Sequence, residues 1–553
     1  MSSDPHSMEK PVSILWFRHG LRLHDNPSLH EAVQDAEKEG WQLLLMFIFD
    51  GETAGTKLCG LNRFNFLLEC LKDIHDQLQT LGTRLHVCHG APIEIFEAIH
   101  QTRGIAKLCF EQDCEPVWKT RDEGVKNWCQ TTGVPWVEKI GHTLWNPHEV
   151  LALNGGTPPV TFAMFNHVIS AMPKPDRPKA DVDMSQVQFA AIDDELGRKI
   201  GLYPTFPGID YFHLEPEMET EKAYIGGERI ALRALELRLT HEYEAFTRGT
   251  FLPNQRDPDV LCPPKSLSPD LRFGSLSVRK FYWGVLDAFK KSQQNTKKPF
   301  NPRIISQLLW REFFYTMSVE NDYYDEMARN EICVNIPWNP VENNPHWKAF
   351  LDARTGYPFI DAGMRQLYKE GWTHHVVRNA IACFLTRGDL WISWENGLKV
   401  FLKYLLDADW SVCTGNWLWI SSSSFEEALK SYGIIDPSLY GRRVDPWGKY
   451  VQKYIPELAN YPVEYVYEPW LAPKEVQEEA GCIIGKDYPE PIVDHQKASA
   501  ENTKRMNDLK EYLTRQLSLE PSPSVSPVEI LDFESLAENF GAPEVQCCQE
   551  CPS

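Results

Sequence analysis

LDADWSVCTGNWLWISSS, residues 406 to 423, packs two acids, one cysteine and three tryptophans into a segment that is otherwise nearly apolar. Acidic side chains are rarely fully buried unless paired, so Asp407 and Asp409 require specific partners such as a cation or a polar ligand. If the segment is helical beyond the acids, Trp410, Cys413 and Trp417 fall at i, i+3 and i+7 and share one face. That face sets a thiol and two oxidisable indoles beside whatever the acids hold. The plain alternative is an apolar core helix whose aromatics fill volume.

The upstream segment GWTHHVVRNAIACFLTRG (371–388) weighs against that alternative. It places His375, Arg378 and Asn379 at i, i+3 and i+4, a polar face on an otherwise apolar helix. Arginine is a natural partner for Asp407, because guanidinium to carboxylate pairing is how a buried charge is tolerated. Between the two segments, DLWISWENGL carries Trp391 and Trp394, three residues apart.

At 553 residues the chain is long enough for two or three domains and a sizeable core. No apolar run approaches the roughly 18 residues of a membrane span; the longest, LLLMFIF at 43–49, reads as a buried parallel strand. The start, MSSDPHSMEK, has no apolar signal region, and the expected location is cytoplasmic and nuclear. Fourteen cysteines without a compact disulfide spacing then read as reduced thiols. With 56 Lys plus Arg against 77 Asp plus Glu the net charge is -21, which disfavours tight DNA binding.

Between residues 12 and 145, apolar strand-like runs (VSILWF, LLLMFIFD, RLHVCHG, KLCFEQD, VPWVEKI) alternate with helical stretches such as RFNFLLECLKDIHDQL. This alternation predicts an α/β doubly wound parallel sheet. No G-x-G-x-x-G follows the first strand and there is no Walker loop, so motif gives no nucleotide site in this half. Residues 146–220 are rich in proline, glycine and acids and read as an interdomain connector. From about residue 221 the pattern turns helical and aromatic as far as about 495.

Several long motifs stand in a fixed order: WFRHGLRLHDNPSL (16–29), EQDCEPVW (111–118), SLSPDLRFGSLS (266–277), QLLWREFFY (307–315), HHVVRN (374–379) and LDADWSVCTGNW (406–417). By these the chain resembles the photolyase and cryptochrome family, most closely the light-receptive, insect-type animal cryptochromes. The resemblance implies an α/β domain over 1–145, a connector over 146–220, a larger all-helical FAD-binding domain over 221–495, and a C-terminal helix and regulatory tail over 496–553. It also implies a blue-light photoreceptor that is no enzyme and that serves circadian or other rhythmic light entrainment. Nothing in the sequence assigns an antenna chromophore.

By resemblance, Arg238, Ser266, Leu267, Ser268, Gln307 and Arg311 surround the diphosphate and ribityl side of FAD, where hydroxyl, amide and guanidinium donors suit phosphate oxygens. His375, Arg378, Asp407, Ala408 and Asp409 line the ring, and Cys413 faces flavin N5. A buried neutral thiol is a weak proton donor, so the expected photoproduct is an anionic semiquinone. The same resemblance orders an electron path: Trp417 nearest the flavin, then Trp394, then Trp338, with Trp391 a terminal donor near the surface.

The runner-up is a DNA photolyase repairing UV pyrimidine lesions. Trp310 and Trp419 match aromatic positions that pack a flipped lesion in that branch, but Gln307 stands where cyclobutane-dimer photolyases carry Glu. Asn379 stands where (6-4) photolyases carry a second active-site His, which removes the acid that would protonate the lesion. A constitutive transcriptional repressor is a third reading, weakened by Cys413.

Toward the end, Met506, Leu509, Leu513 and Leu517 form one stripe of an amphipathic helix over 501–517. SPVEILDFESLAENFGAP (526–543) opens with a capping box of Ser526 and Glu529 and sets Ile530, Phe533, Leu536, Ala537 and Phe540 on one face. This reads as a docking element, with Phe533 or Phe540 entering the space between Trp310 and Trp419 in the dark and leaving it in light. The expected partners are clock or other signalling proteins, bound in a light-dependent manner, with no membrane. The oligomeric state is open, a homo-oligomer included.

Overall fold

The computed structural model describes residues 10–519 apart from 52–58, 213, 215–218, 251, 253–257, 262–265 and 294–302. The segment bearing Phe533 and Phe540, and the side chain of Leu517, lie outside the described residues.

Five parallel strands, β1 (Val12–Phe17), β2 (Gln42–Phe49), β3 (His86–His89), β4 (Ile105–Glu111) and β5 (Trp136–Lys139), form one sheet in the order β3-β2-β1-β4-β5. A parallel sheet needs both faces covered, and the central strands are accordingly apolar without alternation. Leu15, Phe17, Leu45 and Phe47 pack on one face against Phe66, Leu67 and Cys70 of the Leu61–Gln79 helix. Ile14, Trp16, Leu44 and Met46 pack on the other against Ile95, Phe96 and Ile99 of the Pro92–Arg103 helix.

In doubly wound sheets ligands usually settle where the strand order reverses, here beyond the ends of β1 and β4. The protein's own ions fill that place. Arg18 pairs with Asp122, His19 Nε2 lies 3.1 Å from Asp113, and Arg121 reaches the same carboxylate at 3.3 Å. Burial, the first influence on Asp113, would raise its carboxyl, but His19 and Arg121 hold it below the ordinary range.

The 146–220 stretch, read as an interdomain connector, carries helices of its own. Asn146 and Thr161 cap two helices, Pro147–Leu153 and Phe162–Ala171, and Asp193 caps a third, Asp194–Lys199. Phe165 is buried in the helical core, while Phe189 pairs with Leu43 of β2. Pro147 occupies the first helical turn, where its missing N–H costs nothing, so it marks a helix start.

The helical half has its own core, in which Trp394, Trp417, Phe384 and Tyr450 are almost wholly buried. The two halves are joined by buried charge: Arg22 Nη1 donates to the Gly274 carbonyl at 3.0 Å, and Arg279 pairs with Asp25 at 2.9 Å. The C-terminal helix runs from His495 to Leu519, six residues earlier than its apolar stripe indicated, and lays Met506 on Ile336 and Trp391. Among the described residues no helix is long and apolar enough to cross a membrane.

Candidate cofactor site

The turn Leu406–Asp409 links the Trp394–Tyr404 helix to the Trp410–Ile420 helix and is gripped from two sides. From the α/β domain, Arg63 donates to the carbonyls of Leu402 (2.7 Å) and Ala408 (3.0 Å). From the helical domain, Arg272 Nε donates to the Ala408 carbonyl at 2.9 Å and pairs with Asp409 at 3.1 Å.

The two acids of this turn are used differently. Asp407 Oδ2 accepts from Arg378 Nη2 at 2.9 Å and from Ser268 Oγ at 2.6 Å, and Ser268 Oγ bonds Ser266 Oγ at 2.7 Å. Asp407 Oδ1 is buried with no hydrogen-bond partner, as is the hydroxyl of Tyr224, which lies within the field of Asp407 and Arg378. Buried orphans of this kind are costly unless a ligand meets them. Asp409 points away, to Arg272 and His142. Burial would raise its carboxyl, but Arg272 and His142 overcome that and hold it below the ordinary range. Asp409 thereby braces the turn against the other domain.

His375 and Cys413 complete the cluster. Solvent reaches His375, yet the surrounding protein desolvates it and, with Arg378 beside it, pushes its imidazole down to about 4. Asn379 Nδ2 stands 3.4 Å from His375 Nε2. Burial pushes the Cys413 thiol up to about 12 despite the nearby Arg378 guanidinium. At neutral pH the cluster thus holds a neutral imidazole and a neutral thiol, with one cation, Arg378, spent on Asp407.

Ser266, Ser268, His375, Arg378, Asp407, Ala408 and Cys413 are brought together, with Leu267 buried as the residue preceding the Ser268–Phe273 helix. Arg311 reaches across the domain junction. Its guanidinium donates to the His142 carbonyl and Nε2, both at 2.8 Å, and pairs with Glu312 at 3.2 Å, so it is committed to the domain junction. Arg238 donates to Glu242 one turn along its own helix at 2.6 Å, and Gln307 is exposed. Tyr224 was missed by sequence reasoning; it lies in a short extended segment where no periodicity singles out one aromatic.

The tryptophans lie on the far side of Cys413. Trp417 packs on Phe401 at 5.0 Å and lies so close over Gly397 that a methyl group there would overlap its ring. Gly397 is one turn from Trp394 on the same helix, so the two indoles share the face of one element. Trp338 and Trp391 then stand 4.8 Å apart between ring centres. Their predicted order in depth is corrected. Trp391 is 2% exposed, covered by Met506, with Arg505 5.6 Å from its ring; Trp338 is the half-exposed one.

Trp310 and Trp419 stand 4.8 Å apart, edge to face, as the walls expected for a cleft. One face of Trp310 is already taken: Phe162 from the 146–220 stretch stacks on it at 3.9 Å and 8°.

Residues 13–181 match the family model of DNA photolyase, and residues 304–508 match that of the FAD binding domain of DNA photolyase. The chain is 48% identical to Cryptochrome-1 of Aedes aegypti over 96% of its own length and 98% of that protein. It is 46% identical to Cryptochrome-1 of Drosophila melanogaster, over 95% and 98%. The chain belongs to the photolyase and cryptochrome family. Within it this is a cryptochrome photoreceptor, and its cofactor is FAD. A bacterial class III photolyase from Agrobacterium tumefaciens shares the architecture at a TM-score of 0.74 and 26% identity, covering 92% of this chain and all of that one.

The donor set fits FAD. Ser266, Ser268 and Arg378 supply hydroxyl and guanidinium groups for phosphate or hydroxyl oxygens, and the orphaned Asp407 Oδ1 supplies an acceptor for a ring N–H.

Proposed function

We propose that this photoreceptor reads blue light by drawing one electron from Trp417 and passing the resulting hole along Trp394 to the Trp338–Trp391 pair. When bound, FAD supplies the absorption of blue light and the one-electron oxidising power. The protein's residues do the rest. Trp417 and Trp394 are buried, and the Trp417 indole N–H has no protein acceptor, so that indole keeps its proton and the hole can move on. Cys413 and His375 are both neutral and neither is an acid at neutral pH, so electron arrival is not followed by proton transfer.

The observation that carries this reading is the single helix Trp410–Ile420, which holds Cys413 beside the Arg378–Asp407 pair and Trp417 one turn further, packed over Gly397 of the helix that begins at Trp394. Trp417→Phe tests it. The variant should purify with FAD bound and lose fast photoreduction; normal photoreduction would refute the path.

Repair of DNA lesions is not expected. The supporting observation is Phe162 stacked on Trp310, which closes one face of the aromatic pair that a flipped base would need. A net charge of -21 adds to this. Absence of lesion turnover under light is the corresponding measurement. As a receptor the protein would act on clock or other signalling proteins in cytoplasm and nucleus, entraining a light-driven rhythm; light-dependent co-purification of a partner tests that part.

A further inference from the structure

The turn Leu406–Asp409 carries two carboxylates and is met by three guanidinium groups, so one positive charge is left over. Arg378 is paired with Asp407 at 2.9 Å and Arg272 with Asp409 at 3.1 Å. The third, Arg63, has no carboxylate partner among the described residues. Its Nη1 and Nη2 donate to the carbonyls of Leu402 and Ala408, and its Nε is buried without an acceptor. Burial, with Arg272 nearby, pulls its guanidinium down to about 10, which leaves it a cation at neutral pH. Glu115, another acid in the field of Arg272, is turned to the Ser411 N–H and is pushed up by burial, toward its neutral form. An unpaired buried cation is costly unless a negative charge meets it.

Arg63 is held where it is by the helix that carries it. It stands in the first turn of the Leu61–Gln79 helix, beside Asn62, whose side chain donates to the Lys369 carbonyl at 3.0 Å. The preceding Gly60 N–H donates to the Lys403 carbonyl at 2.7 Å. Leu402 and Lys403 lie in the last turn of the Trp394–Tyr404 helix, whose carbonyls lack partners within the helix. The α/β domain thus caps the end of that helix and brings a fixed charge to the turn. The charge reaches the cofactor cluster, because the Cys413 thiol lies in the field of Arg63.

We propose that Arg63 is a positioning residue of the photoreaction, the standing counter-charge that the α/β domain supplies for the electron arriving on the flavin. The inference rests on the photoreduction proposed above. That step gives FAD one electron, taken from Trp417, and no proton, so a full negative charge appears inside the protein. A cation already fixed in low-dielectric surroundings favours that charge with no rearrangement when it arrives. His375 and Cys413 are neutral and cannot serve, and Arg378 and Arg272 already face carboxylates. Arg63 is the charge that remains, and it makes the unaccompanied electron acceptable.

The test measures the one-electron reduction potential of FAD in the full-length protein by dye-coupled titration in darkness, and the release of oxidised FAD on dilution. Arg63→Met keeps the length and loses the charge; it should make reduction roughly tenfold less favourable, about 59 mV, with oxidised FAD still held. Arg63→Lys keeps the charge and loses the fork, and should retain most of the potential. Cys59→Asp sets a carboxylate in the field of Arg63 without removing its bonds, and should lower the potential as Arg63→Met does. Asn62→Ala removes a bond from the same turn and no charge, and should leave the potential unchanged. An unaltered potential in Cys59→Asp would overturn the proposal whatever the fate of Arg63→Met. Equal losses in Arg63→Lys and Arg63→Met would overturn it too, because the grip on the turn would then matter and the charge would not. The titration is run in darkness and does not depend on the tryptophans. Variants that titrate as expected, in a protein that fails to photoreduce unmodified, would instead overturn the tryptophan path and leave the role of Arg63 standing.

Discussion

Arg378 Nη2 donates to Asp407 Oδ2 across 2.9 Å and leaves Asp407 Oδ1 buried and unpaired. The pair holds the floor of the cofactor site, since Ser268 is bonded to the same carboxylate oxygen and Cys413 lies in its field. Removing one partner of a buried pair leaves a charge without compensation. Asp407→Ala should lose FAD on purification and lower stability by about 3 kcal/mol, the low end for a buried pair because Arg378 is 20% exposed. Flavin content and thermal unfolding check it.

Cys413→Asp should convert a cluster without an acid into one that has it. Burial would raise the new carboxyl well above the ordinary range, so a fraction would be protonated and able to donate. Illumination should then give the spectrum of a protonated flavin radical, with FAD binding retained. An unchanged light spectrum in the variant would show that position 413 does not govern protonation.

Gly397→Ala would drive a methyl into the ring of Trp417. Overpacking of this kind costs about 1–3 kcal/mol. The variant should melt earlier and photoreduce more slowly because the indole is displaced, whereas Gly133→Ala, at a position with open space around it, should leave photoreduction intact. Flash kinetics separate the two, since Gly133, at a φ of +73°, also loses stability as alanine.

His142 joins the domains by bonding Arg311 at 2.8 Å and Tyr315 at 2.7 Å, and burial with Arg311 beside it pushes its imidazole down to about 3. The unfolded chain, with an ordinary histidine near 6.5, binds the proton first, so stability rises with pH across that interval. The contribution of His142 is complete above pH 6.5 and is lost progressively as pH falls toward about 3. His142→Gln should show a smaller loss of melting temperature between neutral and mildly acidic buffer than the unmodified protein.

Local chemistry was legible in the sequence; long-range packing was not. The i, i+3, i+4 spacing of His375, Arg378 and Asn379 pointed to a polar face and to a partner for Asp407, and the Arg378–Asp407 pair is present. The parallel sheet followed from apolar runs without alternation, such as LLLMFIF. The grip of Arg63 on the Ala408 carbonyl spans 345 positions, and no periodicity signals a contact of that length. The resemblance placed Trp391 near the surface, yet Met506 of the last helix covers it. Arg311 reads like a phosphate ligand by residue type; only the fold shows that His142 already holds it.

The central claim is that light moves an electron to FAD from the tryptophans while no neighbouring acid follows with a proton. The direct measurement is the absorption spectrum of the purified, unmodified protein with FAD bound, in darkness and under blue light at neutral pH. Loss of the oxidised flavin bands with growth of an unprotonated, anion-type radical is the predicted result. Growth of the protonated radical, or no change in the light, would contradict the account.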